Sequence, residues 1–299
     1  MLKGNVPILS TAFDNRGAVD MASIERLVAF LMEQGVNGLA LFGNASEGYA
    51  LTTGEKQAIL TRVKQMVGDL PVVAAAGGAS PMAAIEDIKR VTDLGATVAM
   101  VNPPSVIKPS PEAAQEFFGL VVEGTDIDIM IQDAPLMTGV NLPVPTLVNI
   151  CKASERVKYI KVEQPPTTLK ITLLMEALEN SATLFGGLNA GFLFEELERG
   201  AIGTMPACEF PDVINNILGQ YFNGNREGAR ETFYRYLPFL RYGVQPNIGV
   251  SIHKEVLHAS GIFATNHVRN PARYIDNVTR RELFDILEIL PLSIMRKSS

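Results

Sequence analysis

Short apolar segments rich in β-branched residues alternate with amphipathic helical patterns along this chain, and this alternation limits the possible folds more than any other feature. The predicted strands are residues 6–10, 38–43, 71–77, 97–102, 128–132, 157–162, 183–187 and 201–205. Alternating strands and helices require parallel strands joined by helical crossovers. Eight such units predict an α/β fold, a closed (β/α)8 TIM barrel. The competing architecture is an open doubly wound sheet, but the first strand–helix turn, STAFDNRG, lacks its usual GxGxxG sequence.

The strand pattern ends near residue 209, which divides the chain into two predicted parts. Residues 1–209 would form the barrel with the active site, at the C-terminal ends of the strands. Residues 210–299 carry helical patterns without clear strands and would form a helical extension packed on the barrel. Capping residues that predict helix starts are Asp20, Thr52 with Glu55, Ser80 before Pro81, and Ser110 before Pro111.

Composition excludes several classes of partner. The net charge of −6 and pI near 5.3 do not suit binding to nucleic acid or to an anionic membrane. No apolar run reaches the roughly 18 residues of a membrane helix, and the N-terminal stretch becomes polar too early for a signal peptide. Cys151 and Cys208 are the only cysteines and neither forms a CxxC motif, so we expect reduced, buried thiols. These features predict a soluble cytoplasmic protein.

The predicted sixth strand, VKYIKV, contains a lysine near its end. Strand side chains alternate between faces, so Val157, Tyr159, Lys161 and Glu163 would point into the barrel lumen. A strand lysine is ordinarily solvated or paired in a structural ion pair. An inward lysine in a packed lumen is costly to bury, and a desolvated lysine can act as an amine nucleophile toward a carbonyl group. The pattern therefore indicates Lys161 as a candidate catalytic residue.

Three segments at predicted strand ends resemble one enzyme family. They are GNASEGYALTTGEK (43–56), IQDAPLMTG (131–139) and YIKVE (159–163). In this order they resemble the class I, Schiff-base-forming superfamily of dihydrodipicolinate synthase and N-acetylneuraminate lyase, over most of the chain. The resemblance implies a TIM barrel, an imine at Lys161, a small 2-keto acid substrate, no cofactor, and a homo-oligomer, commonly a tetramer.

The sequence departs from the pattern of this family at its proton relay. Asn44 and Ala45 replace two threonines, and Gln132 replaces the tyrosine above the lysine. Met137 stands where members that condense with aspartate semialdehyde have an arginine. Glutamine and asparagine form hydrogen bonds but do not transfer protons at neutral pH. These departures argue against dihydrodipicolinate synthesis.

The missing tyrosine requires another general acid/base. Glu163 is the candidate because it lies two residues beyond Lys161; its alternative role is a rim carboxylate paired with that lysine. Asp133 is the second candidate, although its strand parity points it away from the lumen. The Lys-x-Glu pattern resembles the L-2-keto-3-deoxyarabonate dehydratase branch of the superfamily. The remaining predicted substrate-binding residues are Ser10, Thr11, Asn44, Ala45, Gln132, Gly186 and Gly187.

Besides dihydrodipicolinate synthesis, two other functions remain open at this point. An aldolase would use the same lysine but would cleave the C3–C4 bond of a keto sugar acid. A binding protein could retain the pocket without turnover. The histidines, His253, His258 and His267, lack the spacing of a helical metal pair, so no metal site is predicted.

Overall fold

The predicted TIM barrel is confirmed. The protein is described by a computed structural model of residues 1–296, so residues 297–299 of the predicted extension lie outside the described residues. The eight strands are parallel; β2 to β8 pair in chain order, and β1 pairs with β8. In chain order, β1–β8 are Gly4–Asn5, Leu39–Leu41, Val72–Ala75, Val98–Val101, Asp128–Asp133, Val157–Val162, Thr183–Gly186 and Gly203–Thr204.

The sheet closes into a ring through the segment that follows β1. The backbone of Leu9 donates to Ala40 O (2.8 Å), and the backbone of Ala40 donates to Pro7 O (2.9 Å). On the other side, Ile8 N donates to Pro206 O (2.7 Å). The first segment is therefore bonded to the neighbours on both of its sides, which rules out an open doubly wound sheet.

The first and last strands are shorter than predicted. Residues 6–10 were expected to form the first strand, but β1 is Gly4–Asn5. Pro7 has no amide hydrogen and cannot donate to a regular ladder, so the segment after β1 forms only a bridge at Ile8. Pro206 also lacks an amide hydrogen, and β8 ends shortly before it, at Thr204.

Helices fill the connections between strands and continue after the barrel. The predicted caps are confirmed: the side chains of Asp20, Thr52, Ser80 and Ser110 each accept a backbone hydrogen bond, and Thr52 with Glu55 forms a capping box. In chain order, α1–α12 are Met21–Glu33, Thr53–Val67, Pro81–Asp93, Pro111–Glu123, Pro135–Thr138, Val144–Ala153, Thr167–Leu178, Leu193–Leu197, Pro211–Phe222, Arg226–Tyr242, Gly249–Ala259 and Asn277–Ile289.

Apolar side chains form two separate cores. The inner core fills the barrel lumen, as in other TIM barrels, and contains Leu2, Val6, Ile8, Ala40, Val73, Val98, Met100, Met130, Tyr159, Phe185 and Met205. The outer core lies between the sheet and the helices and includes residues of α9–α12. Cys151 and Cys208 are buried in this outer core as free thiols. Because the inner core fills the lumen, a ligand bound inside the barrel would lie above it, at the strand ends.

The C-terminal helices pack on the barrel and reach its strand ends. Phe210, just before α9, packs edge-on against Phe239 of α10, with ring centroids 5.4 Å apart. Asn5 Nδ2 of β1 donates to Asn215 Oδ1 of α9 (3.0 Å). Within residues 1–296, no helix has the length and apolar character needed to span a membrane.

Candidate active site

Strand β6 directs the candidate lysine into the lumen. Tyr159 lies in the inner core, whereas Ile160 and Val162 lie in the outer core. The alternation of faces therefore points Lys161 inward, above Tyr159. The Lys161 side chain is only 5% exposed, so it is a buried amine at the top of a packed core.

The inward direction predicted for Val157 is wrong. Val157 pairs with Ile129 of β5, and Tyr159 pairs with Met130, so two steps along β6 match one step along β5. A β-bulge of this kind changes the facing of the residues on one side of it. Val157 packs in the outer core instead, while the direction of Lys161 is unaffected.

Glu163 contacts the lysine and is held by two further donors. Glu163 Oε2 lies 3.2 Å from Lys161 Nζ, and the glutamate side chain is 12% exposed. Gln132 Nε2 donates to the same oxygen (2.9 Å), and Leu188 N donates to Oε1 (3.3 Å). The backbone of Glu163 is fixed as well, because its amide donates to Asp133 O (2.9 Å). Each carboxylate oxygen therefore has a defined donor.

Gln132 and Asp133 point to opposite faces of β5. Gln132 is paired in register with Lys161 and reaches the carboxylate of Glu163. Asp133 lies on the outer face, with Oδ2 2.6 Å from Lys170 Nζ of α7. Burial raises the pKa of Asp133 and lowers the pKa of Lys170, and in both groups it outweighs their mutual attraction. This places Asp133 outside the lumen, as its strand parity predicted.

Ser10 and Thr11 lie under the loop that follows β2. Thr11 Oγ1 donates to Ser46 O (2.7 Å), and Ser46 Oγ donates back to Leu9 O (2.6 Å). Ser10 Oγ accepts a weak hydrogen bond from Cys208 Sγ (3.5 Å). Both predicted hydroxyl groups are buried, and the hydroxyl proton of Thr11 is used to join two loops.

Asn44 and Ala45 occupy the loop above those hydroxyl groups. Asn44 is exposed, and Ala45 is half-buried and packs against the inner core. They form a 3₁₀ turn, Asn44–Ser46, in which the amides of Ser46 and Gly48 donate to Gly43 O. The structure thus places both residues at the mouth of the lumen.

The two predicted glycines face different groups. A Cβ atom at Gly187 would collide with the side chain of Glu163, so only glycine leaves room for that carboxylate. A Cβ atom at Gly186 would collide instead with Glu196 of α8, outside the sheet. Gly187 therefore belongs to the surroundings of Glu163, whereas Gly186 accommodates a buried carboxyl group behind β7.

Glu196 is a buried acid that no sequence pattern predicts. Thr167 Oγ1 donates to its Oε1 (2.7 Å), and Oε2 has no hydrogen-bond donor within the described part of the chain. Burial, with a smaller contribution from the charge of Glu163, raises the pKa of Glu196 to about 7. Glu196 reaches this position from α8, and its distance in sequence from β6 explains why local pattern cannot reveal it.

A buried ion-pair network is a second feature that the sequence patterns do not predict. Glu47, which follows the Asn44–Ser46 turn, forms an ion pair with Lys254 of α11. Its other oxygen accepts from Arg269 N (2.7 Å), and the Arg269 side chain binds Glu55 at the start of α2. Burial lowers the pKa of Lys254 to about 8, despite the nearby Glu47 carboxylate. The network anchors the loop after β2 to the C-terminal part of the chain.

The histidines serve structural contacts in this fold. His253 Nδ1 lies 2.6 Å from Glu209 Oε1 in a buried pair, and His267 Nδ1 contacts Tyr274 OH (3.0 Å). Among residues 1–296, no group of three histidine, cysteine, aspartate or glutamate side chains is arranged to hold a metal ion.

Comparison with known protein families matches residues 1–290 to the dihydrodipicolinate synthetase family. An L-2-keto-3-deoxyarabonate dehydratase of Azospirillum brasilense is 30% identical over 303 aligned positions, which cover 98% of this chain and 96% of that protein. A 4-hydroxy-tetrahydrodipicolinate synthase of Thermotoga petrophila is 27% identical, covering 96% of this chain and 98% of that protein.

Solved structures agree with the sequence relatives. The dihydrodipicolinate synthase of Rhodopseudomonas palustris superposes with a TM-score of 0.90 at 27% identity, covering 96% of this chain and 97% of that one. A dihydrodipicolinate synthase of Thermotoga maritima gives a TM-score of 0.90 at 27% identity, with 96% and 98% covered. The resemblance inferred from three strand-end segments is confirmed, and this chain belongs to the dihydrodipicolinate synthetase family.

Proposed function

We propose that this protein is a Schiff-base-forming lyase that dehydrates L-2-keto-3-deoxyarabonate to 2-oxoglutarate semialdehyde. The observation that carries the proposal is the contact between Lys161 Nζ and Glu163 Oε2 (3.2 Å) above the inner core. The lysine provides the amine for an imine, and the glutamate provides a carboxylate within reach of the carbons next to it. The name of the Azospirillum brasilense relative supports the choice of substrate.

The first step joins the substrate to the lysine. The neutral amine of Lys161 adds to the C2 carbonyl group, and uptake of one proton from solvent with loss of one water molecule leaves a protonated imine. The imine withdraws electrons from C3, so a C3 proton becomes acidic. The carboxylate of Glu163 removes that proton, and the electron pair forms an enamine between C2 and C3.

The second step expels the hydroxyl group. The enamine pushes its electrons toward C4, and the C4–O bond breaks while protonated Glu163 returns its proton to the departing oxygen. One water molecule leaves, and an unsaturated imine remains on Lys161. Proton shifts along the chain and hydrolysis of the imine then release the semialdehyde and regenerate the amine. One carboxylate thus serves as base and then as acid.

The surrounding residues would bind the rest of the substrate. We assign the substrate carboxylate to Asn44 and the Ala45 amide, and the hydroxyl groups to Gln132, Ser10 and Thr11. Because Thr11 already donates its proton to Ser46 O (2.7 Å), it would only accept from a substrate hydroxyl. Gly187 would keep the backbone clear of Glu163. Assembly as a homo-oligomer, a tetramer by resemblance, and a cytoplasmic location stay predictions.

Two competing reactions would use the same lysine. Dihydrodipicolinate synthesis would need a cation for the second carboxylate, but Met137 of α5, at that aligned position, is 48% exposed and uncharged. An aldolase would need a base at the C4 hydroxyl; because dehydration also requires Glu163 to reach the C4 oxygen, the reaction products, and not the position of Glu163, separate the two reactions. A binding protein without turnover gives no reason for three donors to converge on one carboxylate.

Borohydride trapping followed by mass spectrometry tests the proposal. Wild type, Lys161→Ala and Lys158→Ala are each treated with pyruvate and with L-2-keto-3-deoxyarabonate. Lys158 lies on the same strand but is 49% exposed, so its variant is the matched control. We expect an adduct on wild type and the control and none on Lys161→Ala. With the sugar acid, the adduct should be lighter by one water than the reduced imine of the undehydrated sugar acid. A pyruvate-sized adduct from the sugar acid would indicate an aldolase, and no adduct at all would refute the imine.

A further inference from the structure

Three successive residues after β7 adopt a left-handed backbone conformation. Leu188, Asn189 and Ala190 have φ angles of 46°, 55° and 60°. Residues other than glycine rarely adopt positive φ, and leucine and alanine do so less readily than asparagine. Strained segments of this kind persist when their surroundings fix them, and they concentrate at functional sites. We therefore looked for contacts between this left-handed turn, residues 188–190, and the candidate active site.

The left-handed turn contacts the candidate acid/base directly. Leu188 N donates to Glu163 Oε1 (3.3 Å), and the preceding Gly187 lies against Cγ and the carboxyl group of the same side chain. The other carboxylate oxygen is bound by Gln132 and contacts Lys161. The turn thus provides the only donor to Oε1 among the described residues, and it fixes the rotation of the carboxylate.

Asn189 fixes the turn without touching the carboxylate. Its Nδ2 donates to Leu240 O of α10 (2.9 Å), and its Oδ1 accepts from Ala207 N after β8 (3.0 Å). One side chain therefore joins the end of α10 to the end of the barrel. Asparagine is also the residue of these three that best tolerates a positive φ.

We propose that Asn189 is a positioning residue for Glu163. By holding residues 188–190 in the left-handed conformation, it directs the Leu188 amide at Glu163 Oε1 and aims Oε2 at the substrate carbon. The inference rests on the proposed function, because it matters only if Glu163 moves protons. It adds a residue that lies in none of the three strand-end segments on which the resemblance rests.

Two measurements separate the lysine from the glutamate. Pyruvate forms an imine with Lys161 and loses one water, and borohydride traps this species. Glu163 then removes one methyl proton to give the enamine, and in D₂O the carbon takes up deuterium when the step reverses. Trapping therefore reports Lys161, and deuterium uptake into the pyruvate methyl group reports Glu163. A general loss of folded protein would lower both signals together.

Asn189→Ala and Asn189→Gly are compared with wild type and Glu163→Gln. Misplacement of a catalytic group by a fraction of an ångström to one ångström slows a reaction by up to about a hundredfold. We expect Asn189→Ala to lower deuterium uptake by about tenfold to a hundredfold while trapping changes by less than about twofold. Asn189→Gly lacks the side-chain bonds but adopts positive φ freely, so it should retain more uptake than Asn189→Ala.

Asn180→Ala is the matched control. Asn180 also has a positive φ, 70°, but it is exposed and lies before β7, at the opposite end of the barrel. Asn180→Ala also removes the tolerance of asparagine for positive φ, but far from the candidate site. Deuterium uptake and trapping should therefore both stay at the wild-type level. The inference would be overturned if deuterium uptake and trapping fell by the same factor in both Asn189 variants, or if uptake did not change in either variant. If wild type is trapped but takes up no deuterium, or Glu163→Gln takes it up normally, the proposed function fails first.

Discussion

At the ends of β5 and β6, a buried lysine lies beside a carboxylate on each side of the sheet, but the two lysines differ in the number of oxygens that they contact. On the outer face, Lys170 Nζ is surrounded by three oxygens: Asp133 Oδ2 (2.6 Å), Leu142 O (2.8 Å) and Gln164 Oε1. On the inner face, Lys161 Nζ contacts a single oxygen within the described residues, Glu163 Oε2 at 3.2 Å. An ammonium group has three N–H donors, so the outer lysine has one nearby oxygen for each donor and the inner lysine does not.

We infer that this difference separates a structural lysine from the proposed reactive one. Lys254 belongs with the outer pair, since its Nζ meets Glu47 and His267 O (2.8 Å) and lies 4.2 Å from the ring centroid of Phe13. An ammonium group surrounded by several acceptors must break more contacts before it can attack a carbonyl group, whereas Lys161 has only one contact to break. Burial alone does not distinguish the three lysines, because all are buried; we therefore infer that the number of acceptors around Nζ marks Lys161 as the reactive one.

The largest effect predicted from this comparison is on stability, at the outer pair. Lys170→Met leaves Asp133 buried without its counter-ion, and such losses cost about 3–5 kcal/mol. Denaturant unfolding should show a decrease of that size in the free energy of unfolding. Borohydride trapping at Lys161 should persist at wild-type level per folded molecule, because the inner face is unchanged.

A second substitution tests the cause of that loss. Lys170→Met combined with Asp133→Asn removes the stranded charge and should recover most of the unfolding free energy. The matched control is Lys158→Met, whose exposed ion pair with Asp128 is worth about 0–1 kcal/mol. If Lys170→Met abolished trapping in a folded protein, the outer lysine would take part in the chemistry and the distinction between the faces would be wrong.

The second prediction concerns the pH dependence of stability. In the folded protein the pKa of Glu196 is raised from 4.5 to about 7, so between these values the folded state binds more protons than the unfolded state. The contribution of Glu196 to stability is then fully present below about pH 4.5 and declines up to about pH 7, by about 3 kcal/mol in total. Glu196→Gln should remove this decline, which denaturant unfolding at several pH values would detect.

The neutral side chain should also stabilise the protein above pH 7. Glu196→Gln removes the buried charge while keeping an acceptor for Thr167 Oγ1. We expect a gain of about 2 kcal/mol at pH 8. Glu176→Gln, an exposed position on α7, should leave the curve unchanged. An identical pH slope in wild type and Glu196→Gln would show that Glu196 is ionised in the fold throughout this range.

The sequence predicts the inner face better than the outer face for a physical reason. Lys161 and Glu163 are two residues apart, so strand alternation alone places them together. Gln132 could be placed beside them because neighbouring strands of a barrel pair in order. The relative position of Lys170, Glu196 and Lys254 depends on how helices pack on the sheet, and no local periodicity encodes that.

Errors in the predicted fold also have local causes. Pro7 shifted the first strand because proline lacks an amide hydrogen. The bulge that turned Val157 outward lies before Lys161, so the side chains alternate between the two faces as predicted from Tyr159 onward. The left-handed turn at Asn189 could not be predicted, because LNA has no glycine to mark positive φ. The parts beyond prediction are those where tertiary contacts overrule the preference of a residue.

The smallest predicted effect compares one substitution on both faces. Gln132→Leu removes the hydrogen bond from Nε2 to Glu163 Oε2 (2.9 Å), but Leu188 N and Lys161 still hold the carboxylate. Loss of one bond to a charged group, worth about 1.5–3 kcal/mol in full, should therefore lower deuterium uptake from D₂O by about tenfold, with trapping retained.

Gln164→Leu makes the same change on the outer face, where the glutamine accepts from Lys170. It removes one of the three oxygens around Lys170 Nζ, so the free energy of unfolding should fall by about 1 kcal/mol while uptake stays unchanged. Lower uptake in Gln132→Leu together with lower stability and unchanged uptake in Gln164→Leu would support a catalytic role for the inner face and a structural role for the outer face. Equal losses of uptake would mean that the two faces are coupled through the strand ends, and that Lys170 supports the reaction through Asp133, whose carbonyl accepts from Glu163 N.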